Sequence, residues 1–341
     1  MASPPKSRKK TTLLRAFLIL AIPTLLAGMG GVAWWGAGQI VHPSRRPLQG
    51  YHLEMLGRPE QYGLTIQKYE VPALSPYLFP TPILLCEPLS QGQGGARGAK
   101  IQQDRNQKKI PLPNYGDIRG TIVILHGRRG RKEDGLPVAE RFCAAGFRCI
   151  LPDLPAHGDN QNPVASYGLH EWQLPDQLEK VTAKNFNLPL VPRFLWGISQ
   201  GGSVAVQAAA KTSWQGLIVV SSFARFEDIC EGQTRKLFGP AAPALFPLLK
   251  FFVESRGHYS LQSVSPVNAA SALQLPVMIA HGTTDKLIPM TVGRQLYGAV
   301  GSPQKTWVEV AGGTHDGVLI TPMPLYAEMA AFYLRSLPGS P

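Results

Sequence analysis

Nine residues constrain this chain more than any other stretch: Phe194-Leu195-Trp196-Gly197-Ile198-Ser199-Gln200-Gly201-Gly202. An apolar run stops at Gly197, and a helix-like run from Ser203 to Ala210 begins just past Gly201. Gly-x-Ser-x-Gly therefore sits where a strand turns sharply into a helix, as a nucleophile elbow requires. A serine held in a strained turn lifts its hydroxyl clear of the sheet, and side chains two residues to either side would collide. Gly197 and Gly201 remove those collisions. The motif alone arises by chance in many chains, so its weight comes from what surrounds it.

From Thr121 onward, short apolar runs alternate with helical patterns, the signature of a parallel sheet covered on both faces. Thr121–Leu125, Arg148–Leu151, Phe194–Trp196, Gly216–Val220, Pro276–Ala280 and Lys305–Val310 read as strands. Leu136–Ala145, Leu174–Asn185 and an amphipathic Leu325–Leu337 read as helices. Upstream, Thr65–Val71 alternates as a strand should, and Pro82–Cys86 is a second short apolar run. The fold class is α/β, in a chain of 341 residues, long enough for one large core.

The N-terminus is of another kind. A basic head over residues 1–15 precedes residues 16–41, a charge-free run with Trp34 and Trp35 near its far end. About 20 apolar residues span a bilayer, and tryptophans favour its interface. The basic head then stays cytoplasmic, which places everything after residue 41 on the far side. A cleaved signal peptide is the rival, with Gly31-Val32-Ala33 as a small-x-small site; a retained anchor is the reading carried forward. Seven of the twelve net positive charges lie at Lys6, Arg8, Lys9, Lys10, Arg15, Arg45 and Arg46, and no acid precedes Glu54. The charge is thus topological, and no nucleic-acid-reading motif accompanies it.

Residues 42–341 form the expected catalytic domain. Within it, residues 42–62 read as a connector, and residues 91–109, rich in Gly, Gln, Lys and Arg, as a mobile polar loop. Residues 224–264 form a short apolar insert, either a covering helix pair or a substrate lid. Cys86, Cys143, Cys149 and Cys230 show neither metal spacing nor a redox pair; single buried thiols are the reading, with a Cys143–Cys149 bridge left open.

A serine hydroxyl needs a base, an orienting acid and an oxyanion site. Asp285 follows one late strand in His281-Gly282-Thr283-Thr284-Asp285, and His315 follows the last strand in Gly312-Gly313-Thr314-His315-Asp316. Loops at the carboxyl ends of parallel strands share one edge of the sheet, so Ser199, Asp285 and His315 can meet there in that chain order. Asp316 is a weaker candidate acid, because adjacent residues rarely face each other. His126-Gly127-Arg128 ends an earlier strand; the Arg128 and Gln200 backbone N–H groups are the candidate oxyanion donors, with His126 structural. Arg128, Arg129, Arg131 and Lys132 crowd that loop, partly balanced by Glu133 and Asp134.

In ordered combination, His126-Gly127, Asp153-Leu154-Pro155-Ala156-His157-Gly158, the elbow, Ser265-Pro266, the stretch His281–Pro289 and His315 resemble the α/β-hydrolase family. The likeness is strongest to its serine esterase and serine aminopeptidase-like branch. The resemblance implies an eight-stranded, mostly parallel sheet, with Ser199, His315 and Asp285 as the triad. The stretch after the second strand is longer than usual, and His157 follows Pro155-Ala156 where the family often has Arg-Gly. The expectation is an exported, membrane-anchored serine hydrolase of carboxylic esters, acting on a small-molecule or lipid-like ester, without cofactor, metal or nucleic acid. An aminopeptidase-like amide hydrolase and a non-catalytic membrane binding module are the alternatives. The small lid points to short or medium acyl chains, with Phe251 and Phe252 setting the pocket.

Overall fold

The computed structural model describes residues 7–90, 94–107, 113–320 and 324–339, the backbone alone over 7–18 and at 105 and 107. Eight strands form one sheet: β1 (Leu64–Val71), β2 (Thr81–Pro88), β3 (Gly120–Leu125), β4 (Phe147–Pro152), β5 (Arg193–Ile198), β6 (Gly216–Val220), β7 (Val277–Gly282) and β8 (Lys305–Val310). Their spatial order is β1-β2-β4-β3-β5-β6-β7-β8. β2 is antiparallel to both of its neighbours, and the pairs from β4 through β8 are parallel. The expected eight-stranded, mostly parallel sheet is therefore present.

Eleven helices surround it among the described residues: α1 (Ser7–Val41), α2 (Gly50–Gly57), α3 (Ala96–Gln107), α4 (Leu136–Ala144), α5 (Leu174–Asn185), α6 (Gln200–Ala209), α7 (Phe226–Phe238), α8 (Ala242–Gly257), α9 (Pro266–Ala270), α10 (Met290–Ala299) and α11 (Leu325–Arg335). Successive strand residues point to opposite faces, so a strand buried on both sides feeds two cores. Phe194 and Trp196 of β5 pack with Phe142 of α4 and Tyr333 of α11. Leu195, between them, packs on the other face with Leu178 of α5 and Val204 of α6. A third cluster lies above the sheet edge and joins Phe223, Phe226 and Val253 to Ala37 and Val41 of α1.

Two expectations are corrected here. Residues 96–107 of the supposed polar loop form α3, which packs on α4 and α11; residues 91–93 and 108–109 lie outside the described residues. Glu140 of α4 is 1% exposed and accepts from the Arg97 backbone N–H at 3.0 Å and its guanidinium at 2.8 Å. The close approach of Gly98 to Ala144 leaves no room for a side chain at that point. Arg97→Ala is expected to destabilise the fold by about 1–2 kcal/mol, because a buried carboxylate loses its charged partner; the half-open position of Arg97 keeps the cost below that of a fully buried pair. Chemical denaturation checks this, and a change below about 0.5 kcal/mol would mean that α3 docks without the ion pair.

The second correction concerns the boundary at residue 41. The end of α1 belongs to the hydrolase fold, since Ala33, Ala37 and Val41 are buried. The Ala165 N–H donates to the Val41 carbonyl at 3.0 Å, and Tyr167 Oη donates to the Ile40 carbonyl at 2.9 Å. The connector over residues 42–62 also holds α2, with His52 and Met55 buried. All four cysteines are buried free thiols, and burial pushes the Cys230 pKa up to about 12.

Candidate active site

The sheet order places β3 between β4 and β5, so the chain leaves β3 to one side and returns on the other. In an open α/β sheet, ligands bind outside the carboxyl ends of the strands at such a reversal. The elbow follows β5 and the His126–Arg128 loop follows β3, at the two sides of this reversal. Ser199 adopts φ 53° and ψ −117°, a strained conformation for a residue with a side chain. A Cβ on Gly197 would strike the Gly201 carbonyl, and one on Gly201 would strike the Leu125 carbonyl. The two glycines thus let the turn close on itself and on β3.

Ser199 Oγ lies 3.1 Å from His315 Nε2, and His315 Nδ1 lies 2.8 Å from Asp285 Oδ2. A carboxylate beyond Nδ1 accepts a hydrogen bond from the Nδ1–H and so leaves Nε2 free to accept from the serine hydroxyl. The other oxygen of Asp285 accepts from the backbone N–H groups of Leu287 at 2.9 Å and Ile288 at 2.8 Å. Burial opposes ionisation of Asp285, but the bond to His315, the Ile288 N–H and nearby His281 outweigh it and hold its pKa below the usual carboxylate range. Asp285 rather than Asp316 thus reaches the imidazole; Asp316 lines the polar mouth outside.

The loop after β3 comes close to the serine, since a Cβ on Gly127 would sit 3.4 Å from Ser199 Cβ. Among the described residues, neither the Arg128 nor the Gln200 backbone N–H has a hydrogen-bond acceptor. Gln200 opens α6, where the helix dipole also favours negative charge. His126 is held inside this loop: its Nδ1 donates to the Gly127 carbonyl at 2.8 Å, and its Nε2 accepts from the Leu154 N–H at 3.0 Å. With both nitrogens engaged, His126 braces the loop. Lys132, in the same basic stretch, is tied to buried Asp153 at 2.8 Å and to Asp159.

Three histidines around the site are buried and kept neutral, His126, His157 and His281, each with its pKa lowered chiefly by burial. For His157 the value falls from 6.5 to about 3. Below pH 6.5 the unfolded chain binds a proton there that the native state refuses, so stability is present above that pH and is lost on acidification towards pH 3. Between pH 6.5 and 5 the loss from His157 alone is about 2 kcal/mol, and the other two act with the same sign. Urea titrations at pH 7 and pH 5 measure it. His157→Gln is expected to flatten the dependence, and an equal slope in the variant would assign the acid lability to other groups.

A cavity of about 370 Å³ adjoins Ser199 and Gln200. Phe223, Phe226, Leu237 and Phe238 line it, as do Leu245 and Leu249 of α8. Phe251 and Phe252 do not. Phe251 is 63% exposed and Phe252 packs on the third core cluster, so neither lines the pocket as expected. A wall that sequence reasoning missed comes from α1, through Val32, Ala33, Gly36 and Ile40. On the other side of Ser199 a second, polar cavity is lined by Arg46, Arg128, Arg129, His315 and Asp316. No group of three or more His, Cys, Asp or Glu suited to a metal occurs among the described residues.

This architecture is that of an α/β hydrolase. The chain belongs to the alpha/beta hydrolase family, whose model matches residues 122–329. It is 26% identical over 228 residues to the uncharacterized protein YqkD of Bacillus subtilis (strain 168), across 62% of this chain and 73% of that one. Among solved structures, the Pyrococcus furiosus esterase Pf2001 superposes with a TM-score of 0.59 at 14% identity, over 86% of this chain and 97% of that one. The acylaminoacyl peptidase of Pyrococcus horikoshii gives 0.58 at 13% identity, over 86% of this chain and 44% of that one. At these identities the structural likeness is one of fold.

Proposed function

We propose that this chain is a membrane-anchored serine hydrolase of carboxylic esters. The observation that carries the reading is the hydrogen-bonded series Ser199–His315–Asp285 beside an apolar cavity. His315 Nε2 takes the hydroxyl proton as Ser199 Oγ attacks the ester carbonyl, while Asp285 orients the imidazole and stabilises its charged form. The Arg128 and Gln200 N–H groups receive the developing oxyanion. The bond to the alcohol then breaks, the alcohol oxygen takes the proton from His315, and water releases the acyl group by the same steps in reverse order. An apolar pocket next to the serine favours an acyl ester over a peptide, whose backbone would need polar partners there. The test is labelling of the full chain by a fluorophosphonate together with turnover of p-nitrophenyl butyrate; an unlabelled Ser199 would defeat the assignment.

Anchoring draws on α1, whose Ile19–Val41 portion is long and apolar enough to cross a membrane. Leu20, Leu25 and Leu26 present exposed side chains there. Ala33, at the small-x-small site, is instead helical and buried against the domain. Cleavage after Ala33 would take Val32 and Ala33 out of the wall of the cavity beside Ser199, which supports a retained anchor. The positive head before α1 and the tryptophans near its end support an orientation with the hydrolase domain on the non-cytoplasmic side.

A further inference from the structure

The cavity beside Ser199 does not end inside the hydrolase fold. A more open groove of about 690 Å³ continues from it between α1 and the α7–α8 pair. Val32, Phe238 and Leu245 line both spaces. On α1 a single stripe at four-residue spacing runs the whole way. Leu20, Thr24, Gly28 and Val32 face the outer groove, and Gly36 and Ile40 the inner cavity. At 1.5 Å per residue this stripe is roughly 30 Å long, and its outer part over residues 20–32 roughly 18 Å.

Two observations say what fills it. The outer groove is walled by the charge-free part of α1, where residues 20–32 would stand in hydrocarbon, so what meets it there is a lipid chain. At the inner end Ser199 lies between an apolar and a polar cavity, with Arg128, Arg129 and Leu287 shared by both. An ester with a long chain on one side of its carbonyl and a polar alcohol on the other fits that division. Gln200, 1% exposed, lines the apolar cavity, and both its side-chain amide atoms lack a hydrogen-bond partner among the described residues.

We propose that the serine pocket is loaded sideways from the bilayer. The acyl chain of a membrane glycerolipid ester lies along the Leu20–Ile40 stripe between α1 and α7–α8, its carbonyl at Ser199 and its glycerol in the cavity lined by Arg46, Arg128 and Arg129. This rests on the reading of Ser199 as a hydrolytic nucleophile. The Ser199 Oγ–acyl bond forms as the acyl–oxygen bond to glycerol breaks, the glycerol oxygen takes the serine proton by way of His315, and water then frees the fatty acid. The expectation of short or medium chains, drawn from the lid alone, gives way because α1 supplies a wall that the lid does not.

The test uses the full chain in dioleoylphosphatidylcholine vesicles and a fluorophosphonate with a palmitoyl-length chain ending in a diazirine. The probe should attach to Ser199 and, on irradiation, cross-link within residues 20–32 or at Leu245. Cross-links confined to other elements, to a second copy or to lipid overturn the proposal. So does a protein that accepts a short fluorophosphonate but not the long one, an outcome that leaves the hydrolase reading standing. Failure of both probes removes that reading and the proposal with it. Independently, Val32→Trp narrows the passage between the two spaces. Its rate on p-nitrophenyl palmitate in vesicles, divided by that on p-nitrophenyl butyrate in water, should fall by about tenfold or more. A ratio within about twofold of wild type overturns the route.

Discussion

Replacing Ser199 with alanine is expected to abolish fluorophosphonate labelling and to lower kcat on p-nitrophenyl butyrate by about 10⁴–10⁶-fold. The size of the effect follows from the way the three side chains are linked. His315 lies between Ser199 Oγ and Asp285 Oδ2, so removing one member leaves the others without their task. His315→Ala should therefore cost nearly as much as Ser199→Ala, and the double variant little more than either alone. Asp285→Asn should keep the fold yet lose about 10⁴ in kcat, because an amide can present its N–H to Nδ1 and hold the wrong tautomer. Additive losses across the double variant would show that serine and histidine do not act as a unit. A Ser199→Ala protein that still turns over ester would place the nucleophile elsewhere.

The second large effect concerns where the chain can be cut. A protein beginning at residue 31 should fold and hydrolyse short soluble esters, whereas one beginning at residue 42 should aggregate or lose nearly all activity. The later cut removes four hydrogen bonds to the domain: from Ala165 N–H to Val41, Tyr167 Oη to Ile40, Arg128 to Gln39 and Arg256 to Trp34. Each contributes about 1 kcal/mol, and burial of Val41 about 2 kcal/mol more. The loss, on the order of 6 kcal/mol, is a large share of the 5–15 kcal/mol that holds an ordinary domain together. It also opens the wall of the cavity beside Ser199. Soluble yield, thermal unfolding and p-nitrophenyl butyrate turnover of the two proteins decide the matter. A stable, active protein from residue 42 would mean that α1 only leans on the domain.

The contrast between these two regions shows what a sequence displays and what it conceals. The elbow was legible because its requirement is steric and local: Gly197 and Gly201 stand where backbone meets backbone. The loops carrying Asp285 and His315 were legible because strands β7 and β8 are continuous apolar or alternating runs, and parallel topology sends their ends to one edge. α3 was not legible. Its residues are polar almost throughout, and what docks it is one buried isoleucine, Ile101, with an ion pair to a glutamate 43 residues away. The wall formed by α1 was hidden for the opposite reason. A segment apolar on every side shows no face, and its inner face is chosen by contacts such as Arg256 to the Trp34 carbonyl, 222 residues apart in sequence. Phe251 and Phe252 misled similarly, since only the rotation of α8 decides that Leu245 and Leu249 line the cavity while Phe252 packs on the neighbouring core cluster and Phe251 faces out.

The continuation of α1 from its apolar part into the domain core has a mechanical result. An enzyme on a flexible linker samples a hemisphere of solution around its anchor, with a local concentration set by the linker's length. On the anchoring proposed above the domain is instead a masthead: past Pro23 the helix runs on to Val41 inside the domain, which would hold the domain at a set height above the bilayer. Its serine would then not reach a neighbouring vesicle, and no tether would slacken to bring it back.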